Sequence, residues 1–246
     1  MILVRNCPHN NGIYTLVDKE NDVVVKSSYT AEGIGSLLRE YAGYQWYFRS
    51  SPERNSDQLR IITSDKGLYS RLYVKRFSGR AGECYRNLAY NRSDLLTAIG
   101  AYTQCWPVQD GELVPLHGDY SLGNLIFGDD GVAIIDWEHF HLNAAPWGLD
   151  MANLLYEAAY FSFDGKGKLT PKDRDAFVEV REAIRAVSNP VNGSNCTIEG
   201  LTKFISANVP VWGNLVNKLP VTKISREQKD YLMRLERSEA AFANCG

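Results

Sequence analysis

The chain has 246 residues, is 44% hydrophobic and carries a formal net charge of -2. That apolar content can bury a core as one domain or two small lobes, and the charge leaves no global basic footprint for nucleic acid. The cysteines, Cys7, Cys84, Cys105, Cys196 and Cys245, are scattered and form no C-x-x-C pair. This excludes a disulfide framework or zinc ribbon and points to a reducing, cytoplasmic setting. The apolar start Met1-Ile2-Leu3-Val4 stops at Arg5, too short for a signal peptide, and no apolar run reaches membrane-span length.

In chain order, Ile2 to Val4, Ile13 to Val17 and Val23 to Lys26 read as short strands separated by turn-like residues. Thr30 is placed to cap a helix running to about Phe48, with Ile34, Leu37, Leu38, Tyr41 and Tyr44 at helical spacing. Leu59 to Thr63 and Arg71 to Phe77 are two further strands. After Gly79 the pattern turns helical: Asp94 to Trp106, Leu149 to Tyr160, Arg174 to Val187 and Arg226 to Ala243. A boundary is expected within residues 73–82.

The most informative stretch interrupts those helices. Leu125 to Phe127 and Val132 to Ile135 are apolar runs joined by Gly128-Asp129-Asp130-Gly131, the pattern of a β-hairpin. Asn124 precedes the first strand and Asp136 follows the second, so the hairpin brings them side by side. Asp119 lies five residues before Asn124. Two carboxylates and an amide at one end of a ribbon suit Mg²⁺ bridging nucleotide phosphates, with one carboxylate left for a substrate hydroxyl. Asp129 and Asp130 are turn formers.

The spacing D-x-x-x-x-N plus a later Asp is that of a kinase catalytic loop and metal-binding aspartate. With His117-Gly118-Asp119 and Ile135-Asp136-Trp137-Glu138, the chain resembles the aminoglycoside phosphotransferase and choline kinase branch of the protein-kinase-like superfamily, over roughly residues 12–155. The resemblance implies an α+β, bilobal fold: a β-rich lobe with one helix at 1–77 and a mostly helical lobe at 78–246. It makes Asp119 the catalytic base, and Asn124 and Asp136 the Mg²⁺ ligands. Lys26, ending a Val-Val-Val strand, resembles the lysine on the ATP phosphates. Glu40 resembles its helical partner, with Glu32 as competitor. Asn6 to Gly12 would cover the phosphates, although it holds one glycine and no G-x-G-x-x-G. Backbone groups near Val74 to Arg76 would meet the adenine edge. His117 is expected to be structural, and Asp150 to cap a helix and anchor the catalytic loop.

The expected reaction is ATP-dependent phosphorylation of a small-molecule hydroxyl. Residues 1–160 carry 14 Lys+Arg against 19 Asp+Glu, and residues 161–246 carry 13 against 10. The net-positive final third favours a sugar or bacterial glycan acceptor over an aminoglycoside, with choline or ethanolamine as a further alternative. Tyr156, Tyr160, Phe161, Phe163 and Trp212 are candidates for stacking on a sugar. Rival classes are a non-catalytic kinase-like binding module, and a transition-metal hydrolase built from Glu138, His139 and His141 with His117, Asp119 and Asp136.

Overall fold

The computed structural model describes residues 2–6, 12–51, 57–64, 66–107, 113–188, 193–207 and 219–243. Strands β1 (Ile2–Asn6), β2 (Ile13–Asp18), β3 (Val23–Ser28), β4 (Arg60–Thr63) and β5 (Ser70–Lys75) form one antiparallel sheet in the order β1-β2-β3-β5-β4. The register sets Lys26 opposite Leu72 and Val24 opposite Val74. Side chains alternate across a strand, so Val24, Lys26, Leu72 and Val74 share one face. Against the sheet packs α1 (Ala31–Ser50), which begins where Thr30 Oγ1 accepts the Gly33 N–H at 3.1 Å. Its buried stripe includes Leu37, Glu40, Tyr44, Tyr47 and Phe48, whereas the expected core residue Leu38 is 47% exposed.

Beyond the sheet, β6 (Arg80–Ala81) pairs with the hairpin β8 (Leu125–Gly128) and β9 (Gly131–Ile134). A second ribbon joins β7 (Leu113–Leu116) to β10 (His141–Pro146). The helices are α2 (Leu88–Cys105), α3 (Leu149–Ser162), α4 (Pro171–Val187), α5 (Ile198–Ala207) and α6 (Arg226–Ala243). No helix among the described residues is long and apolar enough to cross a membrane.

Helix α2 starts earlier than the Asp94 expected from periodicity. Asn87 caps it by accepting the Tyr90 N–H at 2.9 Å, and Ser162 Oγ accepts the Leu88 N–H at 2.7 Å. Asp94 instead pairs with Arg80 at 2.7 Å. The β7–β10 ribbon and α5 had no counterpart among the expected elements.

One apolar core runs through both halves. Its centre is aromatic. Trp137 is fully buried and lies 5.3 Å from the Tyr47 ring, 5.7 Å from Trp46 and 5.9 Å from Trp106. Such ring pairs are worth about 0.5–1.5 kcal/mol beyond the area they bury. The segment after Asp136 is thereby fastened to α1.

Candidate active site

The hairpin does what its sequence requires. Ile135 N–H donates to the Asn124 carbonyl at 2.9 Å, setting Asn124 and Asp136 beside each other. Asn124 Nδ2 donates to the Asp119 carbonyl at 2.8 Å and to Asp119 Oδ2 at 3.0 Å. With its NH₂ engaged there, the amide is oriented with Oδ1 as the remaining acceptor. Asp119, Asn124 and Asp136 all line one cleft of about 850 Å³.

Lys26 reaches Asp136 from β3 at 2.5 Å and Glu40 on α1 at 2.7 Å. Glu40 is fully buried, while Glu32 is exposed, which settles the competition between them. Burial opposes the charge on Lys26, but Asp136 and Glu40 outweigh it and hold the ammonium well above its usual range. Burial likewise opposes the Asp136 carboxylate, yet Lys26 keeps it below the ordinary value. At Glu40, burial dominates and pushes the carboxyl up to about 7 against the pull of Lys26.

Asp136 has φ 64, a left-handed conformation that costs a non-glycine residue about 1–3 kcal/mol. Its N–H donates to Tyr44 Oη at 3.3 Å. The carbonyl of the same peptide, Ile135 C=O, lies 3.0 Å from His117 Nε2. Asp119 N–H donates to His117 Nδ1 at 3.3 Å, so His117 is the Nε2–H tautomer. Burial lowers His117 to about 4 and keeps it neutral.

The catalytic loop is fixed from below by Asp150, which accepts the His117 N–H at 2.8 Å and the Gly118 N–H at 3.1 Å. Burial raises Asp150 to about 7 despite both bonds. The expected anchor is therefore present. The helix cap is Gly148, and Asp150 occupies the first turn of α3. Gly118 has φ +87, and a Cβ there would lie 2.5 Å from the His139 carbonyl oxygen, so only glycine fits. Asp119 is lifted above the usual carboxylate value by burial, while His139 and Asn124 pull it back.

A second cleft of about 440 Å³ lies between sheet and hairpin. Ile13, Val17, Val24 and Val74 roof it, Ile126 and Ile135 line it from the hairpin, and Lys26 and Asp136 are at one end. An apolar slot ending in a cation and a carboxylate suits a planar base with a phosphate tail. Gly12 is in the left-handed region, φ +73, where an added Cβ would meet Thr30 at 2.9 Å. The rest of the expected phosphate-covering loop, residues 7–11, lies outside the described residues. The backbone expectation at Arg76 needs correcting, because its N–H donates to the Asp22 carbonyl at 2.8 Å. Backbone groups alternate in direction along an antiparallel strand. Val74, two residues back and facing β3 in the ladder, points the same way. Within the strand, the groups near this end that point away from β3 belong to Lys75.

A metal-hydrolase arrangement is not assembled. Both His117 ring nitrogens are engaged, Glu138 pairs with His139 at 3.2 Å, and His141 lies on β10. Among the described residues no group of three His, Cys, Asp or Glu side chains is placed to hold a metal. The pair Asp136 and Asn124 offers hard oxygen donors, which fit Mg²⁺ completed by phosphate and water.

Sequence reasoning missed the wall of the larger cleft. Glu157 on α3 lines it and is only 7% exposed. Among the described residues its Oε2 has no hydrogen-bond partner, nor has either polar side-chain atom of Asn153 one turn earlier. Burial and the nearby Asp119 push Glu157 up to about 8. Of the expected stacking residues, Phe161 lines the cleft with Tyr85, which was not foreseen; their rings are 5.2 Å apart. Tyr156 is fully buried and donates to Glu236, and Trp212 lies outside the described residues.

The model of the phosphotransferase enzyme family, APH, matches residues 55–179, half of the chain. The chain belongs to that family and is a kinase, and its described residues combine β-sheet and helices in an α+β fold. Among solved structures, amicoumacin kinase hAmiN in complex with AMP-PNP, Ca²⁺ and Ami is similar at 13% identity. That match covers 96% of this chain and 86% of the other, with a TM-score of 0.47. No curated protein sequence matches.

Proposed function

We propose that this kinase transfers the γ-phosphate of ATP to a hydroxyl of a small amine-bearing acceptor. Residues 1–77 form the nucleotide lobe and 78–246 the catalytic and acceptor lobe. Asp119 orients the acceptor hydroxyl and takes its proton as the oxygen bonds to the γ-phosphorus and the bond to the β–γ bridging oxygen breaks, releasing ADP. Lys26, held by Glu40, meets the phosphates. Asn124 and Asp136 hold Mg²⁺, which neutralises phosphate charge when bound. The remaining contribution is positioning.

The observation that carries the acceptor class is Glu157. A buried carboxyl oxygen without a partner among the described residues is costly unless a ligand supplies a donor. Glu83 in the same cleft already pairs with Arg86, and Glu138 lies beside the His139 ring. An ammonium beside Glu157 offsets both the burial and the repulsion from Asp119. This moves the expectation from a plain sugar or bacterial glycan toward an amino sugar, an aminoglycoside or an amino alcohol. The bias toward neutral acceptors came from residues 161–246, whereas Asp119, Glu138 and Glu157 all come from the acidic first 160 residues.

Acceptor-dependent ADP release tests the reading across amines and their deaminated isosteres. The amines should be preferred, and Glu157→Gln should raise their KM about 30-fold or more, as expected for loss of a buried charged hydrogen bond. Preferred turnover of neutral sugars, indifferent to Glu157→Gln, would reject the amine reading and leave the kinase assignment intact.

A further inference from the structure

We propose that Tyr44 is a positioning residue, clamping with His117 the single peptide that sets the conformation of Asp136. The inference rests on Asp136 as the metal ligand and goes beyond it.

The peptide between Ile135 and Asp136 is gripped at both ends. His117 Nε2–H donates to its carbonyl at 3.0 Å, and its N–H donates to Tyr44 Oη at 3.3 Å. The two grips come from opposite halves of the molecule, one from the catalytic loop and the other from α1. A flip of this peptide breaks both bonds and leaves buried polar groups without partners. Asp136 is one of two described non-glycine residues at positive φ, the other being Asp22. It therefore needs such an external hold.

The ring of Tyr44 is anchored independently of its hydroxyl. It stacks on Phe48 at 5.9 Å and lies 6.4 Å from Trp137. Burial keeps the phenol protonated, raising it above its usual value. Glu40 lies one turn earlier on the same helix face, so α1 bears on both ends of the Lys26–Asp136 contact. It holds Lys26 through Glu40 and the Asp136 backbone through Tyr44.

The same helix supplies a control. Tyr47 Oη accepts the Ile134 N–H at 3.2 Å, a buried bond inside strand β9, whereas the Tyr44 bond is part-buried. Tyr44→Phe and Tyr47→Phe each remove one hydroxyl that accepts a backbone N–H, and each leaves the ring packing in place. Melting temperatures and calorimetric binding of ATP, with and without Mg²⁺, separate a positioning role from a purely structural one.

Both variants should lose a similar few degrees of melting temperature. Only Tyr44→Phe should weaken Mg·ATP binding, by about 10-fold, the loss expected from one hydrogen bond. Its affinity for metal-free ATP should stay within about 2-fold on the same scale. Equal effects of the two variants on Mg·ATP, or no effect of Tyr44→Phe, overturn the inference. An Asp136→Ala protein that binds Mg·ATP like wild type would instead remove the metal-ligand assignment beneath it.

Discussion

One substitution made in two helices should have opposite effects. Replacing an interior helical glycine by alanine stabilises by about 1 kcal/mol when nothing stands in the way. Gly100 in α2 meets that condition, because a Cβ there has no heavy atom within 4 Å. Gly43 in α1 does not: its Cβ would sit 2.6 Å from Trp137 Cβ and 3.0 Å from Phe140 Cβ. Carbon atoms prefer about 3.5–4.0 Å, so α1 must withdraw by roughly 1 Å. Neither neighbour can turn away, since both are Cβ atoms fixed to backbone. Overpacking of this kind costs about 1–3 kcal/mol. Taking the upper end and subtracting the helix gain leaves a net loss of about 2 kcal/mol.

At this chain length each kcal/mol moves Tm by about 2–4 °C. Gly100→Ala should therefore melt about 2–4 °C higher and Gly43→Ala about 4–8 °C lower in thermal scans. Activity should split as well. A withdrawal of about 1 Å carries Glu40 and Tyr44 with it, and displacement on that scale can cost up to about 10²-fold in kcat. Gly100→Ala should leave kcat unchanged. A stabilised, fully active Gly43→Ala enzyme would refute the argument that α1 is wedged against the segment that follows Asp136.

Two further outcomes follow from the site. Asp119→Asn preserves shape but not the proton acceptor, so kcat should fall about 10²-fold or more while nucleotide affinity holds; near-normal turnover with the true acceptor would remove Asp119 from the base role. His117 titrates near 4 when folded and near 6.5 when unfolded. The unfolded chain then binds more protons between those values, so this residue's contribution to stability is complete above about pH 6.5 and falls as pH drops toward 4, by about 3 kcal/mol. Denaturant titrations of wild type and His117→Gln should converge by that amount between pH 7 and pH 4. A pH-independent gap would mean that folding leaves the protonation of His117 unshifted.

The parts that were legible in the sequence are those whose partners lie nearby along the chain or are forced by strand pairing. Thr30 capped α1 as read, and the hairpin delivered Asn124 next to Asp136 because two short apolar runs around a turn allow little else. Lys26 and Glu40 met as the resemblance implied. The failures have physical causes. Helix α2 begins at Leu88, capped locally by Asn87 and with its first N–H taken by Ser162, 74 residues away; the cap is legible in the sequence, the distant bond is not. The β7–β10 ribbon carries Pro115 and Pro146, residues that argue against strands unless an edge accepts them. Glu157 reads as an ordinary helical glutamate; only the tertiary fold turns its carboxylate into the wall beside Asp119. Charge summed over a third of the chain says little about a cleft for the same reason, since a cleft gathers its carboxylates without regard to sequence position.

The aromatic stack has a consequence for how such a protein can be recombined. Trp46 on α1 lies 4.8 Å from Trp106 at the end of α2, and Trp106 stacks on Tyr102 at 4.4 Å with the rings 8° from parallel. The first 77 residues therefore hold one side of a joint whose other side is Trp106, Trp137 and Phe140. Grafted onto another kinase, that segment would expose large rings to water unless the recipient offered matching surfaces. Exchange of this N-terminal segment between relatives should succeed only when these aromatic positions travel together, which makes the joint the barrier to shuffling.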